Sequence, residues 1–538
     1  MKKETVCLSL IILIVFALFG ALVHAIPHGA VASTGRVVEP PSNFSRAPLN
    51  PDFVQYQHEL ASGRATTQTR WGYGLGDVPP TINLAHITGQ HISTALRSYP
   101  PACDLRTLGK VSPVKSQGKC GACWAFATYG SLESYLLPSE SWDFSENNLK
   151  NTNGFDGDHC TGGNFQMSTA YLARWTGPVK AADDPYDPSS NISPPNLPVQ
   201  KHVQDVYFLP DRGGSLDNDN IKWALTTYGG VRASMKWDDA SEDATHHTYY
   251  YGGSDNGGHA ITIVGWDDNF DKNLFGGSSF GVPPGNGAFI VKNSWGLDRH
   301  ENGYFYSSYY DSAIGRNCAV FTAEPTTNYD HVYQYDPLGL VDTFGYKDDT
   351  AWFANIFTAT TNEQLSAVSF YTATLNAQYE LYVYKDPASS PISPDKYVES
   401  SGTIPVSGYH TVELSTKVPL TAGHKFSVVV KLRTPNYNFP VPLEEPLENY
   451  SSTATASAEQ GYSSGDGTSW SDITSGHANT DVCLKAFTRT ERTMSTPSQL
   501  TTSVASTLVA FNKQFTFNDA LLQALWEMSV ARLHISKP

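Results

Sequence analysis

The chain has 538 residues, which is too long for one hydrophobic core, so two or three domains are expected. Only 16% of the residues are charged, whereas Gly, Pro and Tyr are plentiful, a composition typical of exported, loop-rich, β-rich domains. The net charge of −16 is spread along the chain and argues against nucleic acid as a partner.

Residues 1–25 have the pattern of a secretory signal peptide. Two lysines precede an apolar run from Val6 to Val23, and small residues end at Ala25. The run is long enough that a retained N-terminal anchor is the alternative. No other stretch is comparably apolar, so no membrane span is expected once the signal is removed. The prediction is a secreted or cell-surface protein in which disulfides can form.

Residues 26–98 are rich in Pro, Ser and Thr and show little periodicity. We expect an N-terminal extension or pro-segment that lies on a surface rather than folding alone.

Residues 99–325 read as helices first and strands later. Helix-like stretches cover Cys123 to about Leu137, Phe165 to Trp175 and Asn220 to Thr227, and the strand-like runs are "GVRASMKW", "HAITIVGW" and "GAFIVKNSW". This segregation predicts an α+β domain.

Residues 326–488 alternate with period two between turn residues, as in "QYELYVYK" and "KFSVVVKL". The pattern predicts an antiparallel β-sandwich of the jelly-roll type. Residues 489–538 are expected to form a linker and a short amphipathic helix with Asn518 as its N-cap.

The pair Cys120 and Cys123 could be a redox pair, half a zinc site, part of a disulfide framework, or a nucleophile beside a structural cysteine. A redox pair belongs in a βαβ unit, usually in a reducing cytosol, and no such unit surrounds these residues. A zinc site needs a second pair at similar spacing, and the sequence has none. Six cysteines after the signal sequence in a chain of this length do not make a disulfide scaffold, so the nucleophile is the alternative to examine.

A cysteine nucleophile needs a base, a group that orients the base and a donor for the oxyanion. His259 lies at the start of the run "HAITIVGW", Asn293 lies in "VKNSWG", and Gln117 precedes Cys123 by six residues. Each has a plainer explanation when taken alone, such as a packed histidine or a simple turn. Together they favour nucleophilic catalysis.

The segments "PVKSQGKCGACWAF", "GHAITIVGW" and "VKNSWG" followed by "ENGYFY" occur in the order found in papain-like cysteine peptidases, which the chain resembles. "CGACW" satisfies the signature of that family. His259 lies 136 residues after Cys123, within the family spacing of about 130–150. Asn293 lies 170 residues after it, because the Gly-rich insertion "DDNFDKNLFGGSSFGVPPGNG" separates the two strands.

The resemblance implies a role for each residue of the site. Cys123 would be a thiolate nucleophile at a helix N-terminus, where the helix dipole favours the anion. His259 would act as its imidazolium partner, and Asn293 would orient His259. Trp295 would shield their hydrogen bond and line the substrate site. Gln117 and the backbone N–H of Cys123 would form the oxyanion hole.

The resemblance also implies a disulfide between Cys120 and Cys160, which lies in a "CTGG" turn. In that turn Gly162 and Gly163 would bind the backbone of a substrate.

Three further cysteines follow the signal sequence. Pairing of Cys103 with Cys318 is left open, because connectivity does not follow from sequence, and Cys483 is expected to be a buried free thiol.

The expected architecture is multidomain. A papain-like domain with a helical half and a β-barrel-like half is followed by a sandwich that resembles the lectin-like domain of microbial family members. A glycan on the cell surface is a candidate ligand of the sandwich, with Trp352 and Trp470 either stacking on sugar rings or packing in the core. Neither a metal nor an organic cofactor is expected.

The expected function is that of a secreted cysteine endopeptidase acting on proteins or peptides through a thioester. The alternatives are a cell-surface adhesin or carbohydrate-binding protein with a latent peptidase scaffold, and a transpeptidase using the same residues. The choice between endo- and exopeptidase stays open. Gly258 and Ala260 beside the base predict a pocket tolerant of apolar side chains.

Overall fold

The structure is a computed structural model and describes residues 44–490 apart from residues 66, 95–97 and 255–256. The expected signal peptide and the C-terminal helix around Asn518 lie outside the described residues. In the described part of the chain the α-helices are α1 (Pro51–Ala61), α2 (Cys123–Leu136), α3 (Glu146–Thr152), α4 (Phe165–Ala173) and α5 (Asp219–Thr227). None of these helices is long and apolar enough to cross a membrane.

Strands make up most of the regular structure. In chain order they are β1 (Ser45–Arg46), β2 (Ala102–Asp104), β3 (Lys201–His202), β4 (Val206–Phe208), β5 (Val231–Lys236), β6 (Glu242–Asp243), β7 (Thr248–Tyr249), β8 (Gly258–Asp267), β9 (Ala288–Lys292), β10 (Tyr304–Ser308), β11 (Arg316–Phe321), β12 (Glu324–Pro325), β13 (His331–Tyr333), β14 (Asp342–Gly345), β15 (Thr350–Thr358), β16 (Glu363–Thr372), β17 (Ala377–Lys385), β18 (Lys396–Ile404), β19 (Ser407–Leu420), β20 (Lys425–Arg433), β21 (Val441–Glu444), β22 (Gly461–Ser464), β23 (Ser471–Asp472), β24 (Asp481–Val482) and β25 (Leu484–Thr490).

Helix α2 is buried along almost its whole length and carries Cys123 as its first residue. It packs directly on strand β8, where a Cβ atom on Gly130 would lie 2.3 Å from the hydroxyl oxygen of Thr262. The helix ends at Leu136, because Pro138 follows and proline disfavours the helical conformation in the residue before it. The close contact of Gly130 with Thr262 holds α2 against strand β8.

Strands β5, β8, β9 and β10 form the centre of the β-half, and each is antiparallel to its neighbour. β8 begins at Gly258, whereas β9 ends at Lys292. The start of one antiparallel strand lies beside the end of the next, so His259 and Asn293 are brought to the same edge.

The C-terminal region is an antiparallel β-sandwich. One layer has the strand order β18-β17-β20-β15-β22-β23, and the facing strands include β13-β25-β16-β19 and β14-β21-β24. Alternate side chains of both layers fill the core between them, including Phe353, Val368, Leu381, Val428 and Phe370. This agrees with the predicted all-β sandwich after an α+β domain.

A single sheet continues from the sandwich into the peptidase-like region. β19 of the sandwich pairs with β4, with Gly408 opposite Tyr207, and β4 in turn pairs with β11. A Cβ atom on Gly408 would lie 2.0 Å from the carbonyl oxygen of Val206, so this close approach needs glycine. Backbone hydrogen bonds therefore join the two regions.

The N-terminal segment contains regular structure within its described residues 44–65 and 67–94. Asn50 accepts the N–H of Asp52 and caps α1, in which Phe53 is buried against Tyr450. Beyond the helix, Gly74 to Val78 enter the groove between the two halves of the peptidase-like region. This part of the chain therefore lies against the rest of the fold and includes a helix, α1, that the sequence analysis does not predict.

Candidate active site

The sulfur of Cys123 is buried at the N-terminus of α2. The residue is 0% exposed, and its Sγ accepts the N–H of Ala260 at 3.4 Å. Ala260 follows His259 on β8, so helix and strand meet at the sulfur. The positive end of the helix dipole and this N–H group both favour a thiolate.

His259 is held by the asparagine from the neighbouring strand end. Its Nε2 donates to Oδ1 of Asn293 at 2.9 Å, and the ring of Trp295 stacks on the imidazole at 4.7 Å between centroids. The other ring nitrogen, Nδ1, is buried without a hydrogen-bond partner among the described residues. That nitrogen is the one left to exchange a proton with Cys123.

A second histidine continues the hydrogen-bonded chain behind Asn293. The Nδ2 amide of Asn293 lies 3.1 Å from Nε2 of His300, and Nδ1 of His300 lies 3.2 Å from Oε1 of Glu242. An amide nitrogen can only donate, so His300 accepts at Nε2 and carries its proton on Nδ1, facing the carboxylate. Asn293 is thereby fixed in the orientation that offers Oδ1 to His259.

Gln117 presents a fully oriented amide. Its Oε1 accepts the hydroxyl of Ser294, and its Nε2 donates to the carbonyl oxygens of Cys120 at 2.8 Å and Gly74 at 3.0 Å. The second acceptor belongs to the N-terminal segment. Beside Cys123, an N–H donor points to a carbonyl oxygen of another segment. This is the geometry needed to bind an oxyanion.

The structure contains the disulfide between Cys120 and Cys160 that the resemblance implies. Gly163 donates its N–H to the carbonyl of Gly76 at 2.9 Å and accepts the N–H of Val78 at 2.9 Å. A Cβ atom on Gly163 would lie 2.5 Å from the ring of Trp124, and Gly162 has a φ of +121°. Both glycines are needed to bring this turn against an extended chain.

The remaining cysteines are not bridged. Cys103 and Cys318, whose pairing the sequence leaves open, are separate free thiols, and Cys483 is free and buried.

The N-terminal segment lies in the groove beside Trp295, Gln117 and Gly163. Tyr73 stacks on Trp295 at 5.2 Å, and Gly74 faces Gln117. The backbone N–H of Gly76 lies near the sulfur of Cys123 and acts to lower the pKa of the thiol. The sulfur is therefore covered by the segment's own backbone.

Different residues of this segment face Gln117 and the sulfur of Cys123. The carbonyl in the anion site belongs to Gly74, whereas the group facing the sulfur is the N–H of Gly76, two residues further on. For attack, the carbonyl group that the oxyanion donor holds must also be the one that the sulfur faces. The segment thus lies across the groove with different residues at Gln117 and at the sulfur.

Burial beneath the segment keeps the reacting pair neutral. Desolvation raises the pKa of the Cys123 thiol to about 12, and the nearby carboxylate of Asp77 also raises it. Desolvation lowers the pKa of His259 to about 4, against the hydrogen bond with Asn293. The covered site therefore holds a thiol and an imidazole rather than an ion pair.

The pocket beside Gly163 contains a guanidinium. Arg232 on β5 is 1% exposed and forms an ion pair with Asp77 of the N-terminal segment. Gly258 and Ala260 predict a pocket tolerant of apolar side chains. The pocket differs from this prediction because residues of β5 line it as well.

The sequence reasoning missed Asp77, Arg232, Glu242 and His300. The position of Arg232 between the apolar residues Val231 and Ala233 is a signal, since a buried arginine needs a partner. The two glycines of "GLGD", residues 74–77, indicate that the backbone lies close to another segment just before Asp77. Nothing local marks Glu242 or His300, which meet only in the fold.

Comparison with known proteins divides the chain into two matched regions. Residues 99–324 match the model of the papain family cysteine protease, and residues 332–488 match the lectin like domain. A viral cathepsin of Antheraea pernyi nuclear polyhedrosis virus is 34% identical over 212 residues, covering 38% of this chain and 58% of the relative. Cathepsin J of Mus musculus is 30% identical over 247 residues, covering 42% and 64%. The chain thus spans about three fifths of these relatives.

Two solved structures share both regions. The cysteine protease and lectin-like domains of Cwp84, a surface layer associated protein of Clostridium difficile, are 25% identical with a TM-score of 0.71, covering 84% of this chain and 99% of that chain. A second structure of Cwp84, after propeptide cleavage, is 27% identical with a TM-score of 0.65, covering 72% and 99%. The chain therefore combines a papain-family cysteine protease domain with a C-terminal lectin-like domain.

Proposed function

We propose that the protein is a cysteine endopeptidase that hydrolyses peptide bonds at Cys123 through a thioester. The observation that carries the proposal is the hydrogen bond of His259 to Asn293 beside a sulfur at a helix N-terminus. The match of residues 99–324 to papain-family proteases supports it independently.

In this mechanism the Cys123 thiolate attacks the carbonyl carbon, and the C=O electrons move to oxygen. Nε2 of Gln117 and the backbone N–H of Cys123 hold the oxyanion. Its collapse breaks the C–N bond while His259 protonates the leaving amine. His259 then takes a proton from water, which attacks the thioester and releases the acid and the thiol. Each step is served by a side chain or backbone group of this chain.

The N-terminal segment acts in this proposal as an inhibitory pro-segment. Its carbonyl at Gly74 fills the anion site, and its burial of the sulfur disfavours the thiolate. The enzyme would be made latent and become active when the segment leaves. The solved structure of Cwp84 after propeptide cleavage supports this type of activation.

We place the protein outside the cell or on its surface, with protein or peptide substrates. The signal-like residues 1–25 support this, as does the similarity to a surface layer associated protein.

The sandwich is proposed to bind a glycan. On its outer layer a cavity of about 550 Å³ is lined by Trp352, Gln378, Glu380 and Arg433. Trp352 and Trp470 both pack against the apolar cluster of Ala354, Ile356, Val429 and Tyr462. An aromatic ring beside polar side chains is suited to sugars.

An epoxide-type thiol trap separates the peptidase from an adhesin or carbohydrate-binding protein with an inactive scaffold. After release of the N-terminal segment, we expect the trap to label Cys123 and to leave Cys103 unlabelled. Cys103 is the matched control, since it is a half-buried free thiol without a histidine partner. Labelling of neither residue would favour the adhesin.

A transpeptidase using the same residues would pass the acyl group to an amine instead of water. Mass analysis of the products with added glycine amide distinguishes the two. We expect free acids as the main products, and a predominance of amide adducts would contradict hydrolysis.

A further inference from the structure

Arg232 is a buried cation held rigidly at the bottom of the groove. Its Nη1 donates to the hydroxyl oxygen of Ser234 at 2.9 Å and to the carbonyl of Asn317 at 3.0 Å. Its guanidinium carbon lies 5.6 Å from the ring centroid of Phe165. These contacts leave Nη2 directed at a group that enters the pocket. We call this pocket the Arg232 pocket and define it by Phe165, Arg232, Ser234 and Asn317.

Asp77 of the N-terminal segment shows which group fits there. Its backbone is bridged on one side by Gly163 and on the other by Gly258. Its Oδ1 contacts Nη2 of Arg232. An extended chain that pairs with Gly163 therefore delivers one side chain into the Arg232 pocket.

The charge balance of the pocket depends on that side chain. Arginine stays protonated at any relevant pH, and a buried charge without a partner is costly. Among the described residues Asp77 is the one carboxylate that forms an ion pair with Arg232. When the segment leaves, the guanidinium loses this partner, and only an entering anionic group restores the pair.

We propose that Arg232 makes the enzyme selective for substrates with Asp or Glu at the residue whose backbone pairs with Gly163. This inference rests on the proposed peptidase function and names its substrate class. An apolar side chain there would leave the guanidinium buried without an anion, and Lys or Arg would be repelled. The N-terminal segment is held by the same recognition, with Asp77 in the place of the substrate carboxylate.

The test uses the full-length protein, incubated until its activity on casein is constant, and sets of fluorogenic peptides. Each of the three positions before the cleaved bond is varied in turn through Asp, Glu, Asn, Gln, Leu and Lys. At one position we expect kcat/KM for Asp or Glu to exceed that for the matched amide by roughly 10- to 100-fold, the range for a hydrogen bond to a charged group. Casein fragments should show the same acidic residue before their new ends.

Two variants test the residue itself. Arg232→Leu should reduce the ratio of Asp to Asn to near one and raise the turnover of the Leu peptide, and Arg232→Glu should favour Lys. The wild-type comparison keeps the test decisive even where a variant fails to fold. Equal rates for Asp and Asn at all three positions, with casein still cleaved, would overturn the selectivity alone. Absence of all cleavage by protein whose Cys123 is accessible would overturn the peptidase function and this inference with it.

Discussion

His300 extends the chain of hydrogen bonds behind the base, and Glu242 lies beyond it. Glu242 faces His300, which accepts from Asn293, and Asn293 accepts from His259. An asparagine amide can rotate by half a turn and exchange its oxygen for its nitrogen. The ring nitrogen of His300 removes that freedom, because only the Nδ2 group of Asn293 can donate to it.

Replacement of His300 by alanine should lower kcat about tenfold and leave KM nearly unchanged, since His259 would be less well oriented while the groove stays intact. Steady-state kinetics of the activated protein measures both values. His300→Gln should recover part of kcat, because its amide oxygen can accept from Asn293. His246→Ala, at an exposed histidine nearby, is the control. A rise in KM without loss of kcat would contradict the positioning role.

The sequence carries enough to suggest most of the site, because the cysteine, histidine and asparagine segments have local signatures. Cys123, His259 and Asn293 do meet in one place, and the disulfide Cys120–Cys160 is present. The partners of Arg232 and His300 could not be predicted. Asp77 and Glu242 lie far along the chain from Arg232 and His300, and they meet them only in the folded protein. A single charged or aromatic residue shows no sequence periodicity that would indicate such a contact.

The N-terminal segment behaves as an element of structure although it contains little regular structure beyond α1. Its passage over the nucleophile depends on glycines. A Cβ atom on Gly74 would lie 2.2 Å from the carbonyl oxygen of Cys120, and one on Gly76 would lie 2.0 Å from that of Gly121. The bare backbone can thus lie directly on the loop that precedes α2.

Gly76→Val should displace the segment and expose the sulfur in the full-length protein. We expect alkylation of Cys123 by iodoacetamide to accelerate at least tenfold, because resolvation of the thiol lowers its pKa from about 12. Peptide mapping of the alkylated protein gives the rate. Gly214→Ala, at a glycine where an added Cβ atom would have no neighbour within 4 Å, should leave the rate unchanged. Equal rates in both variants would contradict the blocking role.

Helices and strands with strong periodicity were predicted nearly to their ends, as with α2 and β8. The fold class is confirmed by the sheets and by the matched families. Helix α1 was missed, although Asn50 followed by Pro51 is a helix start signal. Its buried face is narrow, with Phe53 as its one buried residue, so the apolar period was too weak to detect.

The described residues of both domains are tied together by backbone pairing and by the N-terminal segment. Arg46 forms ion pairs with Asp342 and Glu445 of the sandwich, and the ring of His86 stacks on Tyr437. The same segment then blocks the peptidase groove through Asp77. Release of the segment must therefore break contacts with both domains.

Stability should fall between acid and mildly alkaline pH because of a carboxyl group buried in the sandwich. Burial, with Asp336 nearby, raises the pKa of Glu444 to about 8, and its side chain accepts the N–H groups of Leu338 and Gly339. A raised acid pKa stabilises the fold below the unfolded value, and this contribution is lost as the pH rises through about 8.

The melting temperature should thus drop as the pH rises from about 4.5 to about 8 and then level off, and Glu444→Gln should flatten the drop. Calorimetry at matched ionic strength measures both. Glu448→Gln, at an exposed position, should retain the full wild-type drop. A Glu444→Gln profile parallel to the wild type would contradict this assignment.

The most direct test of the central claim is casein hydrolysis by the signal-less protein in mild reductant, with Cys123→Ala run in parallel and intact mass followed over time. The account predicts cleavage in the wild type alone, accelerating as the N-terminal segment is lost. Equal cleavage by Cys123→Ala, or none by wild type after removal of the segment with Cys123 accessible, would contradict it.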